Sequence, residues 1–116
     1  MTHFKVDIQL PLNFNPEEGG GKISEELFLQ THDELLKIAG GIHTSNSPIF
    51  GSWINPEDKR VYNDKTVVYT VLVDSEDKMT IHNSTKIKTL KEYKKELKIR
   101  FKQHEIFMVA TRCCWL

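Results

Sequence analysis

Cysteine is scarce in this chain of 116 residues, which holds only Cys113 and Cys114, side by side near one end. Their spacing excludes a disulfide-built scaffold. Cα atoms joined by a trans peptide lie about 3.8 Å apart, short of the ~4.4–6.8 Å of an ordinary disulfide, and a redox pair normally has two spacer residues. The two are read as reduced thiols, at least one packing as a small apolar group. Long hydrophobic runs are missing too, and none approaches the ~20 residues needed to cross a bilayer, so no membrane role is expected. The opening MTHFKVDIQL lacks the basic start, apolar middle and small-residue cleavage site of a secretory signal, which makes the cytoplasm the expected compartment. A surplus of one charge is also absent, with 16 Lys and Arg against 16 Asp and Glu, and this argues against a strongly basic coat protein for nucleic acid.

What is present describes a folded domain. Hydrophobic residues make up 39% and charged residues 28%, an ordinary balance for a globular chain. A chain of this size buries roughly 65% of the surface it exposes when unfolded, enough for one core. A single domain over residues 1–116 is expected.

Phe4, Val6, Ile8, Leu10 and Leu12 alternate with Lys5, Asp7, Gln9 and Pro11, the period of a strand with one buried face. Pro11 cannot donate to a ladder and belongs near the end of that strand. Asn13 to Lys22, with Pro16 and three consecutive glycines, reads as a mobile loop. A helix follows from about Ser24 to Ala39. Ser24 is its cap, Glu25 and Glu26 complement its positive end, Ile23 and Phe28 have the spacing of a hydrophobic staple, and Gly40-Gly41 stops it. Phe28, Leu35 and Ile38 with Ala39 form its inward stripe, supported by Leu27 and Leu36.

Ile42 to Asp74 is strand territory. Ile42-His43-Thr44 and Phe50 to Ile54 read as one strand bent or broken around Ser47-Pro48. Asn55-Pro56-Glu57-Asp58 is a turn, Arg60-Val61-Tyr62 a short extension, and Thr66 to Val73 a central strand covered on both sides. A second helix spans about Thr85 to Lys102, capped by Asn83, Ser84 or Thr85, with Ile87, Leu90, Tyr93, Leu97 and Phe101 facing inward. Ile106 to Ala110 is the last strand. The order strand, helix, strand, strand, helix, strand gives a ferredoxin-like βαββαβ α+β sandwich: a four-stranded antiparallel sheet with both helices on one face.

Leu10-Pro11-Leu12, the Gly40-Gly41 helix exit, Gly51-x-Trp53 and Phe101-x-Gln103 together resemble families of small uncharacterised bacterial ferredoxin-like proteins. The resemblance spans most of the chain and implies the fold. It carries no activity and no site residue.

Several groups of residues are candidates for chemistry. Lys88, Lys91, Lys95, Lys98 and Lys102 step by three and four along the second helix, where residues 86–102 hold eight basic residues and two acidic ones. The stripe suits an anion or nucleic acid. It is equally the solvated back of a helix, because lysine lacks the bidentate fork of arginine and the chain is neutral, so nucleic acid is not favoured. On the sheet, Phe4, Val6 and Ile8 facing the helices would turn Lys5, Asp7 and Gln9 outward. No aromatic is then displayed there for stacking bases, which argues against an RNA platform. A second copy covering that face would enclose a cavity lined by Trp53, Tyr69 or Phe107, with Asp7, Gln9, His43 or Asp64 supplying polar groups. His43 and Asp64 are the candidate acid–base pair, although no spacing forces them together, and plain packing roles are available to each.

No metal or cofactor is expected, since His3, His32, His43, His82 and His104 form no ligand motif. Gly19-Gly20-Gly21-Lys22 lacks the first glycine of a phosphate loop and has Ile23 where Ser or Thr belongs. Asp74-Ser75-Glu76-Asp77 lacks the glycine and final Glu of a calcium loop. The expectation is a non-enzymatic interaction or regulatory module acting as a homodimer, with a protein partner as a further possibility. A small enzyme with a pocket on the sheet face, and a nucleic-acid binder using the lysine stripe, are the alternatives.

Overall fold

The computed structural model describes residues 2–45, 47–75, 84–114 and 116. Two helices pack on an antiparallel sheet of five strands. In chain order these are β1 (Thr2–Pro11), α1 (Glu25–Ala39), β2 (His43–Thr44), β3 (Ile49–Ile54), β4 (Val61–Ser75), α2 (Thr85–Arg100) and β5 (Phe107–Cys113). Across the sheet the order is β5, β1, β4, with β2 and β3 in succession along the far edge of β4.

The fifth strand corrects the expected count of four. The second strand is interrupted where expected: His43 and Thr44 face Thr70 and Tyr69, and pairing resumes only at Ile49, opposite Thr66. Pro48 has no amide to give the ladder. Ser45 bridges the gap, its amide donating to the Val68 carbonyl and its Oγ accepting from the Val68 amide, both at 3.0 Å.

β1 sits between β4 and β5, and its alternation does what the sequence requires. Phe4, Val6, Ile8 and Leu10 are fully buried. With Tyr69, Val71 and Val73 of β4 they form the floor beneath Leu35, Ile87, Leu90, Leu97 and Phe101. Each such side chain contributes on the order of 1.5–3 kcal/mol through burial. Lys5, Asp7 and Gln9 occupy the other face. That face is only partly covered on β4, where Val68, Thr70 and Leu72 are half-buried.

The helix ends follow their local chemistry, with two departures. Ser24 caps α1 by backbone position, without a side-chain bond, while Ser84 Oγ accepts from the Ile87 amide in α2. α2 stops at Arg100 rather than Lys102, because Lys102 takes the left-handed conformation at φ 51°. The Lys102 amide donates to the Ile99 carbonyl and that of Gln103 to Lys98, the paired bonds of a Schellman ending. Residues 13–22 are also folded: a 3-10 turn occupies Pro16–Glu18 and Asn13 bridges to Lys22.

The helices are joined by a polar cluster. Arg100 Nη1 donates to Thr31 Oγ1 at 2.8 Å and to the Tyr93 hydroxyl at 3.2 Å, and Nη2 donates to Glu34 Oε1 at 2.6 Å. Burial pushes the Tyr93 hydroxyl up to about 12, reinforced by its bond to Glu34.

Candidate functional site

β4 is longer than its neighbours, and the site follows from that. Its second half pairs with β1, whose ladder ends at Pro11 opposite Thr66. Its first half continues past that end as an arm paired with β3, from Ile54–Val61 to Ile49–Thr66. The reversal at the arm's tip is set by Asn55, whose Oδ1 accepts from the Glu57 amide at 2.9 Å, and by Lys59, held at φ 62°. On the opposite side, residues 103–106 lead from α2 into β5. Between the arm and that segment lies a cleft of about 730 Å3, within the size range of small-molecule sites.

One wall of the cleft is Trp53 and Asp64, the floor is Gln9, Pro11 and Thr66, and the far wall is His104, Ile106 and Phe107. Gly51 stands directly opposite Asp64, and Trp53 opposite Tyr62, so the indole is the diagonal neighbour of the Asp64 carboxylate. Burial raises the Asp64 carboxyl above the usual carboxylate range, and the indole N–H beside it opposes that rise.

Trp53 is itself backed. Its ring stacks on buried Tyr62 with centroids 4.9 Å apart and planes 17° apart. The Tyr62 hydroxyl donates to Glu17 Oε1 at 3.1 Å, and His104 Nε2 lies 3.1 Å from the same oxygen. Glu17 is held below the usual carboxylate range by a backbone hydrogen bond and by His104.

The cleft is acidic. Glu57, Asp64 and Glu105 line it, and among the described residues no Lys or Arg does. Glu105 is engaged by Lys94 at 2.8 Å, which holds its carboxyl low. Asp64 faces the indole instead. An acidic wall beside a tryptophan face attracts an organic cation by charge and by the ring quadrupole.

Of the residues anticipated from sequence, Trp53, Asp64, Gln9 and Phe107 converge here. The others do not. His43 lies on β2 opposite Thr70, six residues along β4 from Asp64 and so about 20 Å away. The expected His43–Asp64 pair is therefore not formed, and the imidazole at the cleft is that of His104. Tyr69 is on the helix side of the sheet, donating to the Phe28 carbonyl at 3.3 Å; alternation along β4 puts it opposite the face that carries Asp64. Asp7 is on the open face but outside the cleft, accepting from Thr70 Oγ1 at 2.6 Å and facing Lys5 at 3.7 Å.

The lysine stripe is shorter than expected. Lys88, Lys91 and Lys95 are exposed on α2 and Lys98 is half-buried. Lys95 pairs with Glu92 at 3.2 Å. Lys102 has left the helix, and its ammonium lies 5.4 Å from the Phe14 ring centroid. His82, Asn83, Glu76 and Asp77 lie outside the described residues. Among the described residues no cluster of His, Cys, Asp and Glu is arranged to hold a metal, and no helix is long and apolar enough to cross a membrane.

No family model and no curated protein matches this sequence. A solved structure does match the fold: a phage SAM lyase in complex with S-methyl-5'-thioadenosine. It has a TM-score of 0.65 and 14% sequence identity, covering 94% of this chain and 80% of the other. The likeness is one of fold, and the protein that shares it is an enzyme. The expectation of a non-enzymatic interaction or regulatory module is corrected on that finding.

Proposed function

We propose that this protein is an enzyme that uses the cleft between the β3–β4 arm and the start of β5 to bind and cleave a sulfonium nucleoside of the S-adenosylmethionine type. The observation that carries the reading is the half-buried acid–indole pair: Asp64, lifted by burial and diagonal to Trp53, in a cleft that no described Lys or Arg lines. The fold likeness to a phage SAM lyase supports the choice of organic cation. In this reading the sheet is a ferredoxin-like βαββαβ frame whose second strand is split in two.

Each role follows from chemistry. Asp64 is the counter-ion of the sulfonium and the Trp53 ring is a cation–π wall. Gln9 offers an amide donor and acceptor for a nucleobase edge, while the exposed Phe107 ring covers an apolar part of the ligand. When the carbon–sulfur bond to the amino-acid chain of such a sulfonium breaks, its electron pair stays on sulfur and the positive charge there disappears, while the freed carbon bonds to an oxygen of the ligand's own carboxylate, so no co-reactant is needed. Asp64 therefore holds substrate more strongly than product and favours binding and release rather than the bond-breaking step itself.

The open sheet face leaves Phe107 at 58% and Val109 at 39% exposure, which supports association of copies through that side as part of the proposal. A cytoplasmic setting is kept with it.

The test is incubation of the purified protein with S-adenosylmethionine, with chromatographic detection of S-methyl-5'-thioadenosine. Release of the thionucleoside, lost in Trp53→Ala, is the expected result. A folded protein that neither consumes the sulfonium nor binds it at millimolar concentration, the weak end of specific affinity, overturns the reading.

A further inference from the structure

The Asp64–Trp53 pair is held from behind by a chain of contacts that leaves the cleft. Tyr62 is buried in an arm whose outward neighbours, Val61 at 60% and Ile54 at 62% exposure, are open. A buried tyrosine usually finds a partner for its hydroxyl, and here that partner is distant in sequence: Glu17, in the 3-10 turn between β1 and α1. Glu17 accepts at the same oxygen that faces His104, so one carboxylate ties the arm to both flanking segments. The Tyr62 ring then covers one face of the indole, leaving the rest of the indole to line the cleft diagonally across the ladder from Asp64.

We propose that Glu17 and Tyr62 are positioning residues that fix the Trp53 indole, and through it the Asp64 carboxylate, so that the cleft presents one set orientation of ring and charge to a cationic ligand. The inference rests on the proposed use of the cleft for its ligand, but the contacts that fix the indole can be tested without any ligand. A side chain with two free torsions, such as tryptophan, samples other rotamers unless packing removes them. The stack removes one set, and the Tyr62–Glu17 bond keeps the stack from sliding.

The experiment uses the full chain with Trp115→Phe, which leaves Trp53 as the single tryptophan. Two quantities are read from its fluorescence: quenching by acrylamide, and the pH midpoint at which Asp64 ionisation changes the emission, identified by its loss in Asp64→Asn. Tyr62→Phe keeps the stack and removes the hydroxyl, whereas Glu17→Ala removes its acceptor. Both are expected to raise quenching and move the Asp64 midpoint upward, because a loosened indole N–H opposes the rise at the carboxyl less. The double variant is expected to do no more than either single one, and Glu17→Gln, which keeps an acceptor oxygen, to stay close to the parent. With S-adenosylmethionine as ligand, Tyr62→Phe is expected to weaken binding about three- to tenfold, the size of one hydrogen bond.

Unchanged quenching and midpoint in Tyr62→Phe and Glu17→Ala, with an unaltered circular dichroism spectrum, overturn the proposal. So do effects that simply add in the double variant. A fluorescence response without any S-adenosylmethionine binding leaves the relay standing and removes the substrate instead.

Discussion

Asp64 and Trp53 are diagonal neighbours across the β3–β4 ladder, and the residue directly opposite Asp64 is Gly51. With no side chain at that position, the cleft stays open beside the indole and the carboxylate. A Cβ added at Gly51 meets nothing within 4 Å, so the space there is room for a ligand rather than a packing requirement.

That separates stability from binding at one residue. Gly51→Val suits a strand and is expected to leave the urea midpoint equal or slightly higher, while its side chain narrows the cleft and reduces S-adenosylmethionine binding by tenfold or more, about the loss of 1.4 kcal/mol. Denaturation and calorimetric titration of the same preparation check both halves.

Asp64→Asn is expected to raise KM about tenfold or more while kcat stays within a few-fold of wild type, since the carboxylate interacts more with a sulfonium than with the neutralising transition state. A fall in kcat at unchanged KM contradicts the counter-ion role. The same substitution removes a half-buried charge. Because the folded carboxyl is raised above its ordinary value, that penalty is absent at pH values below the unfolded value and develops as pH rises through the folded one. The variant therefore gains stability over wild type at neutral pH and loses that advantage in acid, as urea unfolding at the two pH values reports.

Arg100 and Glu34 carry the opposite pH signature. Burial pushes the Glu34 carboxyl up, but its bonds to Arg100 and Tyr93 outweigh this and hold it below the ordinary value. Its stabilising contribution is thus complete above the unfolded value and lost as pH falls through the folded one. Arg100→Met, which strips partners from Thr31, Tyr93 and Glu34 together, is expected to cost about 2 kcal/mol at neutral pH and to flatten the acid limb of the stability curve.

Lys59 turns the arm in a left-handed conformation that costs an L-residue about 1–2 kcal/mol. Lys59→Gly removes that strain at an entropic cost of roughly 0.5–1 kcal/mol. A net gain of up to about 1 kcal/mol is expected in thermal unfolding, with the cleft's ligand affinity unchanged.

Much of this architecture is legible in the sequence because it is local. The Phe4-to-Leu10 alternation, the Gly40 stop and the break at Pro48 are each decided by neighbouring residues. Lys102 as the helix terminator is not legible, because lysine has no preference for the left-handed region and the Schellman bonds alone reveal it. Thr31 is hidden for a different reason: its hydroxyl donates locally to the Leu27 carbonyl, and no local pattern shows that it also accepts from Arg100 of the other helix.

The site is intermediate. Trp53 and Asp64 stand out by residue type, and the turn residues Asn55 to Asp58 contain the signal that would have joined them: pairing Ile54 with Val61 across that turn places Trp53 beside Tyr62 and Gly51 beside Asp64. Glu17, behind the cleft, and His104, on its wall, meet from positions 87 residues apart, and no periodicity encodes that meeting. His43 shares the strand territory of Ile42 to Asp74 with Asp64, but register places it opposite Thr70, six residues along β4.

The most direct test is a calorimetric comparison of S-adenosylmethionine and S-methyl-5'-thioadenosine on the wild-type protein and on Asp64→Asn. Asp64 as counter-ion predicts that wild type binds the sulfonium about tenfold or more tightly than the neutral thioether, the worth of one charge-assisted contact, and that the gap closes in the variant. Equal affinities on wild type, or a gap that survives in Asp64→Asn, contradict it.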